Sequence, residues 1–327
     1  MKQAAFEERY AIEWDRFERW LDRRDKLRKR KADAESVLPE QQVPAAYRHI
    51  CQLLALARER QYSPDLIDRL NRLALRGHHL LYGSRGGQSM RVLSFIAADF
   101  PRLVRTEWRV VAASTLLFMG TLALLVAVIL AYPDFVHFFI DPRQLAAFEE
   151  MYNPSNPRLG MRAGDDNVMM FAFYIWNNVK IGFQVFATGV LFGLGTVVFL
   201  VFNGALIGAV AGHLTGAGYG EPFWSFVSGH SAMELTAIVI AGAAGLKLGG
   251  AVISPGGLSR KNALVQAARP AVRLVYGAAL MFTIAAFIEG FWSPLTLFPA
   301  QTKYTVGGAL WAVLLLYLAL AGRRRAA

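Results

Sequence analysis

Residues 171–253 read FAFYIWNNVKIGFQVFATGVLFGLGTVVFLVFNGALIGAVAGHLTGAGYGEPFWSFVSGHSAMELTAIVIAGAAGLKLGGAVI, and this stretch decides the fold. It is apolar over tens of residues, yet Asn177, Asn178, Lys180, Asn203, His230 and Glu234 sit inside it. A helix needs about 20 apolar residues to cross a hydrocarbon core about 30 Å thick. Polar side chains within such a helix are costly, so each needs a partner or a function. Gly193 and Gly195 suit a tight hairpin between spans at 168–191 and 194–215, and a further span follows at 229–253. Glu289, in the next apolar segment, belongs to the same group of intramembrane polar residues.

Working outward, apolar segments at 110–132, 270–291 and 305–322 complete a set of six. The 327-residue chain is 54% hydrophobic with a mean hydropathy of +0.32, too apolar for an ordinary soluble globule. Charge is concentrated at the front: residues 1–109 hold 22 of the 35 Lys/Arg and 15 of the 24 Asp/Glu, leaving 13 and 9 for the rest. The sequence therefore predicts an all-α polytopic membrane protein with about six spans. A basic helical region at 1–105 precedes a membrane domain at 106–327. Lys and Arg in short loops set orientation. Arg260, Lys261, Arg269 and Arg273 in 254–273, and Arg323, Arg324 and Arg325 at the tail, are expected on the same side as the N-terminus. Loop 216–228 has no basic residue, loop 292–304 has only Lys303, and loop 133–167 carries three Arg against six acids. The expected placement is the cytoplasmic (inner) membrane, with both termini cytoplasmic.

The N-terminal sequence MKQAAFEERYAIEW is charged and amphipathic rather than of signal-peptide type, so the first span is expected to act as its own insertion signal. Tyr10, Trp14, Phe17 and Leu21 recur at helical spacing and predict a helix over 3–34 whose end, Arg23 to Lys31, is dense in Lys and Arg. A second helix is expected from about Ala45 to Arg60. Ser63-Pro64-Asp65 supplies an N-cap, a first-turn proline and an acidic first turn for a third, ending near Gly77. His78 and His79 follow without a third ligand nearby. After a loop at Gly83 to Gly87, a basic amphipathic helix over 89–105 is expected at the membrane surface. The net charge of +11 is matched by no nucleic-acid module, so the expected partner is the lipid bilayer and not nucleic acid. The single cysteine, Cys51, rules out an internal disulfide and fits a reducing cytoplasm.

Two further stretches carry expectations. Phe135 to Tyr152 can form a short amphipathic helix at the outer face, before the rigid turn Asn153-Pro154-Ser155-Asn156-Pro157. Pro222 to Phe226 reads either as a half-helix dipping into the membrane or as an interfacial aromatic anchor.

At about 1.5 Å of rise per residue, Asn177 and Asn178 lie about 14–15 Å deep from Val168, near the bilayer midplane. The same reckoning places Asn203 near the middle, His230 and Glu234 in the outer half, and Glu289 close to the outer end of its span. Lys247 falls near the inner end, where it can snorkel. His230 and Glu234 are four residues apart and share one helix face. Lys180 is a possible ion-pair partner for Glu234. Helix contact is encoded by Gly204, Gly208 and Gly212, by Gly189 and Gly193, and by Gly245 and Gly249, all at GxxxG spacing; these faces make a homodimer reasonable.

Three chemistries compete for the polar set. The amides can be interhelical hydrogen-bond glue, and His230 with Glu234 a satisfied pair. The same residues can serve a proton- or ion-coupled conduit. A membrane hydrolase ranks last, since HExxH and GxSxG are both absent and His230 with Glu234 supplies only two zinc ligands; His213 and Glu289 complete a set only if the fold brings them near. No catalytic residue, metal or cofactor is expected.

Asn177-Asn178, Asn203-Gly204, Gly229-His230 followed by Glu234, Ala241-Gly242-Ala243-Ala244-Gly245-Leu246, and Ile288-Glu289, in this order, resemble the stage II sporulation protein M family (DUF95) over about residues 105–322. One position departs: family members often carry glycine after the histidine, where this chain has Ser231. The resemblance implies an all-helical inner-membrane protein without demonstrated catalysis that organises partners at the envelope. The family's namesake anchors a peptidoglycan-degrading assembly during engulfment, while many relatives belong to bacteria that do not sporulate. The expectation carried forward is a non-enzymatic scaffold or regulator of envelope or peptidoglycan-remodelling proteins. A transporter or lipid conduit is the alternative.

Overall fold

The computed structural model describes residues 2–27, 39–81, 88–155 and 164–323, and these hold helices and turns with no strand among them. The end of the expected first helix beyond Leu27, the loop at Gly83 to Gly87, the turn residues Asn156 and Pro157, and Arg324 and Arg325 lie outside the described residues. The chain separates into two compact units, Met1–Met90 and Arg91–Ala327. The division falls before the expected 105 because Phe100 and Val104 are buried in the core of the second unit.

The first unit is built from α1 (Gln3–Leu27), α2 (Val43–Glu59) and α3 (Pro64–Leu81). Phe6, Trp14, Phe17 and Leu21 face Leu53, Ala57, Leu66, Leu70 and Leu73 in one apolar core. Ser63 caps α3 by accepting from the Leu66 backbone N–H, and it also accepts from Gln3 Nε2 at 2.8 Å. Gly77 does not end α3, which runs on to Leu81. Its missing side chain makes room for the rings of Tyr47 and Phe17, which a Cβ there would approach to 2.8 and 2.9 Å. Arg69 pairs with Asp15 at 2.7 Å and Glu18 at 3.2 Å along the solvent face.

The second unit begins within α4 (Gln88–Ser94), which passes through a π-helical turn into α5 (Phe100–Thr106). The first long apolar helix comprises α6 (Trp108–Thr115), a π-helical turn over Leu116–Gly120, and α7 (Thr121–Ala131). A short 3-10 turn and α8 (Pro142–Tyr152) follow, with Asp141 capping α8 through the Arg143 N–H, as the amphipathic stretch predicts. Then come α9 (Gly164–Ala187), α10 (Leu194–Gly216), α11 (Gly220–Ile253), α12 (Arg260–Phe287) and α13 (Ala300–Leu320).

Contacts at the glycines fix the topology. Added Cβ atoms at Gly204 and Gly208 would strike the carbonyls of Phe118 and Leu122, and one at Gly212 the Ile129 side chain. The numbers rise together, so α10 runs parallel to the first helix and the chain must return between them. That return is α9. It meets α10 at a hairpin where Phe192 (φ 53°) and Gly193 (φ 75°) are left-handed, and it lays Gly189 on the backbone of Gly245. Helix α11 is the axis of the unit. It is mostly buried and packs on α6, α9, α10, α12 and α13. The Ser114 hydroxyl donates to the Val239 carbonyl across the α6–α11 contact at 2.7 Å. The glycine faces that suggested a dimer are thus covered within the chain.

Five helices are long and apolar enough to cross a membrane: Trp108–Ala131, Leu194–Gly216, Gly220–Ile253, Arg260–Trp292 and Ala300–Leu320. Large apolar side chains, Leu116, Phe183, Phe202 and Leu316 among them, point outward, as lipid-facing helices require. The chain is a membrane protein. Helix α9 traverses the same bundle, but its amides and Lys180 keep it outside that set of five. Residues 222–229 are neither a separate half-helix nor a break, since α11 runs unbroken for 34 residues, about 51 Å. Lys247 does not snorkel alone but pairs with Glu107 at 2.7 Å. At the same end the Arg105 guanidinium donates to the carbonyls of Leu318 and Ala321, and Arg102 to that of Gly322. These bonds satisfy the orphan acceptors at the C-terminus of α13 with positive charge.

Candidate functional site

At the Ala131 end of the bundle, the first turns of α11 meet the end of α12 and the start of α13. Helix α12 closes in a π-helical turn, Ile288–Trp292, and such turns are frequent at functional positions because the extra residue changes the helical register. The Trp292 ring occupies the space a side chain at Gly229 would need, with ring carbons 2.3 and 2.7 Å from an added Cβ. Glycine there lets the π turn approach α11 closely, beside His230.

The His230 ring is held from one side by Ser293, its Nδ1 lying 3.1 Å from Ser293 Oγ. Its Nε2 faces Glu234 Oε2 at 3.7 Å, beyond a direct hydrogen bond. Ligand atoms of His230, Glu234 and Glu289 all lie within 4.8 Å of one another. Around them, Lys303 Nζ donates to the Ser293 carbonyl at 2.8 Å, Ser228 Oγ to the Lys303 carbonyl at 3.2 Å, and Trp311 Nε1 to Ser231 Oγ at 3.1 Å. His230 is 4% exposed, Ser293 1%, Lys303 7% and Ser231 9%. An imidazole and two carboxylates held this closely offer a proton relay or three donors for a divalent cation.

Asn178 is 3% exposed, and its Nδ2 has no hydrogen-bond partner. Gly189 lies on Gly245 and α9 runs parallel to α11, so counting back eleven residues on each puts Asn178 level with Glu234. Asn177 points outward and donates to Asn178 Oδ1 at 3.4 Å. Asn203 stays apart, donating to the Phe199 carbonyl of its own helix at 2.7 Å. Lys180 is exposed on α9, and the side chain that faces Glu234, at 3.7 Å, is that of His230. His213 does not join the set either: its Nε2 binds Glu149 of α8 at 2.6 Å.

Sequence reasoning missed Ser293, Lys303 and Trp311. Lys303 is the one basic residue of loop 292–304, a signal that bears on topology and carries nothing about burial. Ser231, the departure from the family pattern, finds a use as the acceptor for Trp311.

A family model described as stage II sporulation protein M matches residues 113–294, which include His230, Glu234, Glu289 and Ser293 but not Lys303. A second model, described only as a domain of unknown function (DUF8413), matches residues 4–83 in the first unit. No curated protein and no solved structure gives a significant match.

Proposed function

The chain belongs to the stage II sporulation protein M family, whose model spans more than half of it, and from that premise we propose a non-enzymatic membrane protein that scaffolds or regulates partners at the cell envelope. The observation that carries this reading is how the buried polar side chains are used. Ser228, His230 and Ser231 of α11 bond to Ser293, to the Lys303 carbonyl and to Trp311, so three helices are pinned together at one end of the bundle. Hydrogen bonds between packed membrane helices favour a fixed assembly over a sliding one. A cavity of about 140 Å³ beside α11 is lined by Phe100, Met233, Gly277, Met281, Leu314 and Tyr317, almost all apolar, a lining that suits helix packing better than passage of a polar solute.

The placement that goes with this role is the cytoplasmic membrane with both ends inside. Arg102, Arg105, Arg109, Arg260 and Lys261 gather at the Trp108 end, while Asp134, Asp141, Glu149, Glu150 and Glu221 lie toward the other. A scaffold would then offer α8 to envelope partners and the first unit to cytoplasmic ones. Cross-linked native purifications should return the same membrane or envelope protein repeatedly, and proteoliposomes should show no flux that depends on Glu234. Repeated purification without a partner, together with proton or ion flux abolished by Glu234→Gln, would replace this reading by the transporter one.

A further inference from the structure

We propose that His230, Glu234 and Glu289 form a binding site for a divalent transition-metal cation that joins α11 to the π turn of α12. The inference goes beyond the scaffold reading and does not depend on it. Two carboxylates whose oxygens lie within 4.8 Å of each other and of an imidazole nitrogen, in the half of the bundle where α11, α12 and α13 meet, need positive charge between them. The buried Lys303 ammonium donates to the Ser293 carbonyl, and a metal ion bound between the carboxylates would supply that charge.

The geometry favours the ion. The 3.7 Å separation of His230 Nε2 and Glu234 Oε2 is too long for a hydrogen bond. It is near the roughly 3.4 Å between two ligands that each stand about 2.1 Å from a tetrahedral centre. The third ligand atom, within 4.8 Å of the other two, would have to move in by about an ångström to complete the set. The remaining ring nitrogen, Nδ1, lies against the buried Ser293 hydroxyl. A metal-bound histidine characteristically uses its second nitrogen in this way, which fixes ring orientation and tautomer. Independently, the buried amide Nδ2 of Asn178, level with Glu234, has no hydrogen-bond partner; it is a donor suited to a ligating carboxylate or to an ion-bound water. The Glu234 side chain keeps 20% exposure, so its carboxylate is not fully enclosed by protein. One nitrogen and two oxygens suit zinc or manganese better than a thiolate-seeking or purely oxygen-seeking ion.

The test uses the full chain in detergent or nanodiscs, stripped with chelator and then equilibrated with Zn²⁺ or Mn²⁺. Stoichiometric metal after dialysis, and a higher melting temperature in its presence, are expected for the wild type. Glu289→Gln and His230→Asn should weaken binding by about a hundredfold or more, and Ser293→Ala, acting only through the ring, by about 10- to 100-fold. His213→Gln, at the histidine–glutamate pair between α10 and α8, should bind like the wild type. A folded, monodisperse wild type that retains neither ion overturns the proposal, as does retention unchanged in Glu289→Gln. Because the wild-type measurement stands alone, a variant that fails to fold does not shelter the idea.

Discussion

The two units hold their helices together by different means. In the first, the core is made of large side chains, Trp14, Phe17, Leu21 and Leu70 among them, drawn out of water. In the second, the central helix α11 presents Ala237, Ala241, Ala243, Ala244, Gly242, Gly245 and Gly249 to its neighbours. Lipid is as apolar as leucine, so burial there yields little. Close backbone approach and interhelical hydrogen bonds take its place. Polar groups follow the same division. The Arg69 and Arg76 ion pairs of the first unit lie at its surface, where such pairs contribute about 0–1 kcal/mol. The Ser114–Val239 and Trp311–Ser231 bonds of the second lie between helices.

The comparison breaks most visibly at Gly189. A Cβ there would sit 2.3 Å from the Gly245 carbonyl oxygen, and backbone cannot move aside. Gly189→Leu should abolish the monodisperse full-length species on size exclusion, whereas a large-to-small change should do so in the first unit only by degrees. There, Leu70→Ala removes a fully buried side chain and should cost about 2–5 kcal/mol, read as earlier urea-induced proteolysis of the first unit in the intact protein. A polar change comes next in size. Arg105→Gln withdraws a charged donor from the last carbonyls of α13 and should destabilise the second unit by about 1–3 kcal/mol, seen as a lower melting temperature in detergent. The smallest effect sharpens the rule about glycine. Nothing lies within 4 Å of a Cβ at Gly250, so Gly250→Ala should be tolerated and can gain about 0.5–1 kcal/mol from helix propensity. If Gly250→Ala were as damaging as Gly189→Leu, close approach would not be what the glycines supply.

Much of this was legible in the letters. Apolar length gave the spans, Ser63-Pro64 gave the start of α3, and Gly193 gave the hairpin, because each is a local constraint. The four-residue spacing of His230 and Glu234 likewise placed them on one face. Glu289 could be assigned only a depth, and its neighbours could not be read, since they depend on which helices touch. Lys180 shows the limit from the other side: the right depth for pairing with Glu234, but an exposed position on α9. Gly77 resembled a terminator in isolation and is a contact in the fold.

The sequence by itself determined an all-helical membrane chain with a polar front, and its family, because hydrophobic length, charge distribution and motif order are properties of the chain read in line. The tertiary structure alone decided that Gly229 admits Trp292, that the π turn carries Glu289 and Ser293 to His230, and that Lys303 lies buried beside them. His230 and Ser293 are 63 positions apart in sequence, Lys303 reaches the same Ser293 from ten positions further on, and only the packing of α11, α12 and α13 makes all three neighbours.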